Sequence, residues 1–368
     1  MLKPVVAAIS LDRRDGGVAV ASRLLWQAVR SHTDGQATLV ELAESRPESL
    51  TFHPGLRSRL RFSARLVMAQ ASRRCPWILF AHPAVARVQG VVPSPARVPY
   101  AVFIHGIEVW RPLSSARRRV LRNASMRLAN SEFTARRTVE MHPDIGPVVA
   151  CPLALPPGAY AESAPQEAPP HPIVLIVARM HRSERYKGHD QLLECWPAVV
   201  AARPGARLVM VGEGDDAPRL REKATTLGIG SSVVFPGFVS DVALGGWYRQ
   251  ASVFAMPSRG EGFGLVYLEA MAHGLPCVGS DEDAAREIIV DGETGYLVKQ
   301  SDQAALRDRL IGLLTDATLR RTLGLGGRAR LAREFSYDRF SSRLGTALDA
   351  AFGMPARRAE PSARSSCA

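Results

Sequence analysis

Short runs of apolar, mostly β-branched residues alternate along this chain with longer stretches in which apolar positions recur every three or four residues. Residues 5–9 (VVAAI), 100–104 (YAVFI), 173–177 (IVLIV), 207–211 (RLVMV), 233–235 (VVF), 253–255 (VFA) and 276–278 (PCV) read as strands. Helical patterns separate most of them, as at 18–30 and 265–272. Strands alternating with helices predict parallel sheets built from βαβ units. A stretch without periodicity, 152–172, holds seven prolines and reads as a linker. The expected organisation is a Rossmann-like domain over 1–155, a linker over 156–172 and a second Rossmann-like domain over 173–336. A further helix is expected at 337–352, and the polar tail 355–368 is expected to be disordered.

Composition narrows the class. A chain of 368 residues exceeds one ordinary core, which agrees with two domains. With 46% hydrophobic and 22% charged residues it is a globular composition. No run approaches the ~18 apolar residues of a membrane span. The apolar run at 5–9 is too short for a signal-peptide core, so none is expected. The five cysteines (Cys75, Cys151, Cys195, Cys277, Cys367) are scattered and never form C-x-x-C, which argues against a disulfide framework or a zinc knuckle and predicts a reducing, cytoplasmic setting.

The formal charge of +12 is one-sided. Residues 1–170 carry 22 Lys and Arg against 12 Asp and Glu, whereas 171–368 carry 25 against 23. The excess concentrates at 57–74 and 117–127. Such a face attracts phosphates, anionic lipid head groups or nucleic acid. Around Leu56, Leu60, Phe62 and Leu66, the arginines Arg57, Arg59, Arg61 and Arg65 make an amphipathic pattern, consistent either with a helix lying on an anionic membrane or with a plain solvated face.

The densest chemistry lies in 257–298. Glu261 precedes Gly262-Phe263-Gly264, and a helix starting at Leu265 carries Glu269. Glycines let backbone N–H groups approach a ligand closely, and a pair of carboxylates suits vicinal hydroxyls such as those of sugars. A capped surface helix with one buried glutamate would give the same two carboxylates. Upstream, the strand 173–177 delivers Arg179 and then Lys187-Gly188 toward its carboxyl end, where doubly wound sheets bind ligands. Arg182 and Arg185 read as a solvated basic loop. Val211-Gly212-Glu213-Gly214 is not a complete G-x-G-x-x-G.

Pro257, Ser258, Glu261, Gly262, Phe263, Gly264, Glu269, Ala270, Met271, Ala272, Gly274 and Pro276 stand at the spacing of the E-x7-E signature, and this segment resembles the retaining family-4 glycosyltransferases of the GT-B fold. The resemblance extends to Glu287 and to Asp291-Gly292-x-x-Gly295. It implies two Rossmann-like doubly wound domains facing across a cleft, with the helix at 337–352 crossing back onto the first. By resemblance, Glu261 and the amides of Gly262, Phe263, Gly264 and Leu265 hold the donor sugar, while Glu269 holds the nucleotide ribose. Arg179 and Lys187 are implied to stabilise the diphosphate. Gly212 and Gly237 would lie near the base, and Gly16-Gly17 near the donor phosphates. His105 would reach the donor sugar, and Asn130-Ser131 would contact the acceptor or cap a helix. The family usually has Gly-Gly shortly before the glutamate at Glu287; this chain has Asp283-Ala284. Asp281-Glu282-Asp283 imitates a metal-binding D-x-D, but a solvated acidic loop is the expectation, because the fold class normally works without a metal.

The resemblance implies a retaining transfer of a sugar from a UDP-, GDP- or ADP-sugar to a sugar or lipid-linked acceptor, with no cofactor and no metal. Bacterial polysaccharide or glycolipid assembly is the expected setting, cytoplasmic or peripheral on the inner membrane face. A GT-B sugar-nucleotide epimerase shares the architecture and is the first alternative. A nicotinamide-dependent dehydrogenase lacks its complete glycine fingerprint here. A nucleic-acid-binding protein would explain the basic face, yet no helix-turn-helix, zinc pattern or aromatic-rich basic strand is present, so no nucleic-acid partner is expected.

Overall fold

A computed structural model describes residues 2–12, 16–43, 55–156, 158 and 171–353. Asp15 (which precedes Gly16-Gly17), Cys367, the tail 355–368 and most of the linker (157 and 159–170) lie outside the described residues. The strands, in chain order, are β1 (Val5–Ala8), β2 (Thr38–Glu41), β3 (Ile78–Phe80), β4 (Tyr100–Ile104), β5 (Met126–Ala129), β6 (Val149–Ala150), β7 (Ile173–Val177), β8 (Arg207–Val211), β9 (Val233–Gly237), β10 (Val253–Ala255), β11 (Cys277–Ser280) and β12 (Gly295–Val298). They form two six-stranded sheets, ordered β2-β1-β3-β4-β5-β6 and β12-β11-β10-β7-β8-β9. The pairings β1–β2, β1–β3, β3–β4 and β5–β6 are parallel, as are all five in the second sheet. Strands β1, β4 and β10 are buried along their whole length, which is why they read as unbroken apolar runs: helices cover both faces of each parallel sheet.

Two compact units divide the chain. Unit 1 comprises Met1–Phe103, Ala116–Arg127 and Ser341–Ala368. In it the first strand leads to Gly16, whose φ of 83° is left-handed, and to the helix Gly17–His32. An added Cβ at Gly16 or Gly17 would meet nothing within 4 Å, so the helix start is open on that side. The residues of unit 1 belonging to the helix Tyr337–Phe352 are held by Asp349, 2.8 Å from His32 Nε2, and by Phe352, stacked on Trp77 with centroids 4.8 Å apart. The helix Leu56–Ala71 buries Phe62, Leu66 and Gln70 on one side.

Unit 2 comprises Ile104–Ser115 and Leu128–Phe340, and contains the whole second sheet. Chain order there reverses between β7 and β10, a topological switch point of the doubly wound kind. The carboxyl ends of β7, β8, β9 and β10 therefore lead into the segments that start at Ala178, Gly212, Phe238 and Met256.

Candidate active site

The site is built from loops that leave the carboxyl ends of the central strands of unit 2. After β7 the chain passes through a tight helical turn, Arg182–Lys187, and Gly188 then starts the helix His189–Ala202. After β10 the chain runs through Pro257 to Gly264 into the helix Leu265–Ala272. Hydrogen bonds tie the two loops together. Arg259 N–H donates to Tyr186 O at 2.9 Å, and Gln300 Nε2 donates to both Tyr186 O and Pro257 O, each at 2.9 Å.

This tie brings Lys187 and Glu261 into an ion pair, with side chains only 15% and 17% exposed. Burial works against the charge on Lys187, but the adjacent Glu261 carboxylate outweighs it and holds the ammonium pKa above the ordinary lysine value. A fixed cation and a carboxylate thus stand together in a partly dry site. Arg179 is elsewhere engaged: its Nη2 donates to Glu184 Oε1 at 2.5 Å, and its side chain is largely exposed. Arg185 is more than a solvated residue of the loop, because it donates to the buried Asp216 at 2.8 Å. Asp216 also accepts from Arg219, which pairs with Asp190. His189, buried beside Lys187, is pushed down to about 4 by desolvation and by that lysine.

Glu269 lies on the helix Leu265–Ala272, is 8% exposed, and accepts a hydrogen bond from Tyr248 Oη at 2.8 Å. Tyr248 stacks on His273 with ring centroids 5.3 Å apart. Phe263 turns its ring toward Phe335, so any ligand contact by this residue falls to its backbone. Leu265 opens the helix and is half-buried.

Gly212 and Gly262 are among the glycines that close approach requires. A Cβ on Gly212 would sit 2.1 Å from Ala178 O, and one on Gly262 would sit 1.9 Å from His105 O. Gly212 N–H also donates to Gly237 O at 3.0 Å, so the ends of β7, β8 and β9 converge at backbone level. Gly262 O accepts from Ser131 Oγ at 2.6 Å and from Thr134 Oγ1 at 3.0 Å, and Asn130 Nδ2 donates to His105 O at 2.9 Å. Ser131 also caps the helix Glu132–Met141 by accepting from Thr134 N–H. His105, whose N–H donates to Glu108 Oε1, is thus set beside the glycine loop. The Glu287 carboxylate accepts from Glu132 and Phe133 N–H at the start of that helix, and burial pushes its pKa up. Gly16 and Gly17 lie in unit 1.

A second expectation, besides that for Arg185, is corrected. Asp283 does not belong to a solvated acidic loop: it is fully buried, although Glu282 beside it is exposed. Ser258 Oγ and the N–H groups of Gly260, Glu261 and Ala285 all donate to its carboxylate and offset part of its desolvation, although burial still pushes its pKa above the ordinary carboxylate value. Tyr248 and Asp283 are the site residues that sequence reasoning missed. Asp283 left a trace, as the acidic residue where the related pattern has glycine; Tyr248 left none.

Residues 171–316 match the profile of the family described as "Glycosyl transferases group 1". A GDP-mannose-dependent monoacylated alpha-(1-6)-phosphatidylinositol monomannoside mannosyltransferase of Corynebacterium glutamicum is 36% identical over 176 residues, 46% of this chain and 45% of that protein. The lipopolysaccharide core biosynthesis mannosyltransferase LpcC of Rhizobium leguminosarum bv. viciae is 34% identical over 158 residues, 43% of each chain. This chain therefore spans less than half the length of the curated relatives it matches. Anabaena Alr3699/HepE, crystallised with UDP and glucose, superposes with a TM-score of 0.76 at 19% identity, over 95% of this chain and 100% of that one. The fold is that of the GT-B glycosyltransferases, and the match to the group 1 glycosyltransferase family spans residues 171–316, less than half of the chain.

Proposed function

We propose that this protein is a retaining glycosyltransferase that moves a sugar from a nucleotide-diphosphate sugar to a sugar or lipid-linked acceptor, without a metal. The observation that carries the reading is the buried Lys187–Glu261 pair, set at the end of a switch-point strand in the segment that matches the glycosyltransferase family. On this reading the donor diphosphate takes over the Lys187 ammonium, and Glu261 accepts from a sugar hydroxyl. Arg179, held near the same strand end by Glu184, adds a second cation. Glu269, oriented by Tyr248, accepts from the ribose. The bond from the anomeric carbon to the phosphate oxygen breaks, and the acceptor oxygen bonds that carbon on the same face. The acceptor proton passes to the departing phosphate, whose added charge the fixed cations offset.

GDP-mannose is the first donor to test, because the two curated relatives named above are mannosyltransferases, one of them GDP-mannose-dependent. A lipid-linked acceptor fits the surface of unit 1. The helix Leu56–Ala71 leaves Leu56, Leu60 and Met68 exposed by 61–74%, at positions four and eight residues apart, so they share one face. Arg57, Arg59, Arg61 and Arg65 are exposed beside them, and Arg73 and Arg74 follow the helix. An apolar stripe flanked by arginines suits peripheral contact with an anionic membrane. No helix among the described residues is long and apolar enough to cross a membrane.

The test is incubation of purified protein with GDP-mannose, UDP-glucose or ADP-glucose and an anionic bacterial lipid extract, read by mass spectrometry. A lipid product heavier by one hexose residue, absent with Lys187→Ala, is expected. Donor isomerisation without acceptor would replace the transferase reading by the epimerase one.

A further inference from the structure

Asp283 follows β11 and precedes the short helix Ala285–Ile288. Its Oδ2 accepts from Ser258 Oγ at 2.6 Å, Glu261 N–H at 2.9 Å and Gly260 N–H at 3.1 Å, and its Oδ1 accepts from Ala285 N–H at 2.9 Å. A return bond runs from Ala284 N–H to Glu261 O at 3.2 Å. Three of the four donors to the carboxylate therefore lie in the loop that ends at Glu261, and both the amide and the carbonyl of Glu261 are held by the 283–284 turn. Every partner is a donor, so an acceptor-only side chain fits and an amide does not: Asn would present its NH2 to an N–H or O–H on one side or the other. Glycine, usual here in the related pattern, offers no acceptor at all. The neighbouring strands do not depend on this residue, since β10 and β11 pair through Phe254–Cys277 and Ala255–Val278.

We propose that Asp283 is a positioning residue that fixes the Glu261 backbone, and through it the carboxylate and the following glycine amides, for the sugar half of the donor. This rests on the reading of the site as a nucleotide-sugar site. Its consequence is selective. Weakening the clamp disturbs contacts to the sugar, while the diphosphate contact at Lys187 and the ribose contact at Glu269, held on the helix Leu265–Ala272, persist.

Two measurements on the full chain test it, with Asp283→Asn and Asp283→Ala compared to wild type and Glu261→Gln. In hydrogen exchange, the Gly260 and Glu261 amides should exchange at least about tenfold faster in both Asp283 variants, as expected when a charge-assisted bond is lost, with β10 and β11 unchanged. In calorimetry with GDP, GDP-mannose, UDP and UDP-glucose, affinity for the nucleotide sugar relative to its diphosphate should fall about tenfold, as in Glu261→Gln, while diphosphate affinity stays within about twofold. Unchanged exchange at the two amides overturns the clamp. Equal weakening of diphosphate and nucleotide sugar overturns the selective positioning role and leaves a structural one. If wild type binds none of the four compounds, the functional reading fails, and the exchange experiment still supports or overturns the clamp.

Discussion

Replacing Lys187 by Met removes one partner of a pair whose side chains are only 15% and 17% exposed. At about 4 Å between charge centres and an effective dielectric of about 20, their attraction is about 4 kcal/mol. Removing one charge leaves the other buried and uncompensated, a change that destabilises by about 3–5 kcal/mol when the site is fully dry. Allowing for the remaining access to water, Lys187→Met and Glu261→Gln should each lower stability by about 2–3 kcal/mol. The double variant should lose much less than the sum of the two single losses, giving a coupling energy of about 2 kcal/mol or more. Urea unfolding of the four proteins at pH 7 measures this directly. Catalysis gives an independent reading: loss of a fixed cation at the departing phosphate should lower turnover by about 10²–10³ in Lys187→Met. Additive effects, with coupling below about 0.5 kcal/mol, would refute the pair.

Other consequences follow from single features. Gly212→Ala places a Cβ 2.1 Å from Ala178 O, and should weaken nucleoside diphosphate binding by more than tenfold in calorimetry, because the junction of β7 and β8 must move. Tyr248→Phe removes the bond to Glu269 and should lower stability by about 1–3 kcal/mol in urea, with a matching loss of donor affinity. Asp216 is held down to about 2, first by its hydrogen bonds from Arg219 and then by those from Arg185. Its folded value is depressed, so its stabilisation is complete above the unfolded carboxyl value of about 3.9 and is lost as the pH falls toward 2. Thermal melts of Asp216→Asn and wild type should therefore converge between pH 4 and about pH 2. Leu60→Glu with Met68→Glu should abolish flotation with vesicles rich in phosphatidylglycerol while leaving the melting temperature within about 2 °C; wild type that does not float would count against the membrane contact.

The central strands were legible because they are buried on both faces. Tyr100–Ile104, Ile173–Val177, Arg207–Val211 and Val253–Ala255 end where the apolar runs end. Thr38–Glu41 escaped because only Val40 in it is buried; nothing in its length or burial sets Ile78–Phe80 apart from the strand Val253–Ala255, which was legible. Met126–Ala129 contains an arginine, and Val149–Ala150 is two residues long. In the site, residue types and motif spacing pointed to Lys187 and Glu261, but not to their contact across 74 positions, which depends on how two strand ends meet. Asp283 reads as solvated beside Asp281 and Glu282 because three of its four donors lie 22–25 positions away in sequence. Burial of a charge is decided by such distant partners, and a local acidic run carries no sign of them. The ring of Phe263 turns toward Phe335, 72 positions on, for the same reason.

Whether this site holds a nucleoside diphosphate decides the functional reading. Calorimetry of GDP, UDP, ADP and NAD with wild type and with Glu269→Ala, both checked for folding by circular dichroism, asks that question most directly. Saturable binding of one diphosphate, weakened about tenfold or more by the substitution, is expected. Folded protein that binds none of the diphosphates, or that prefers NAD, would contradict that reading.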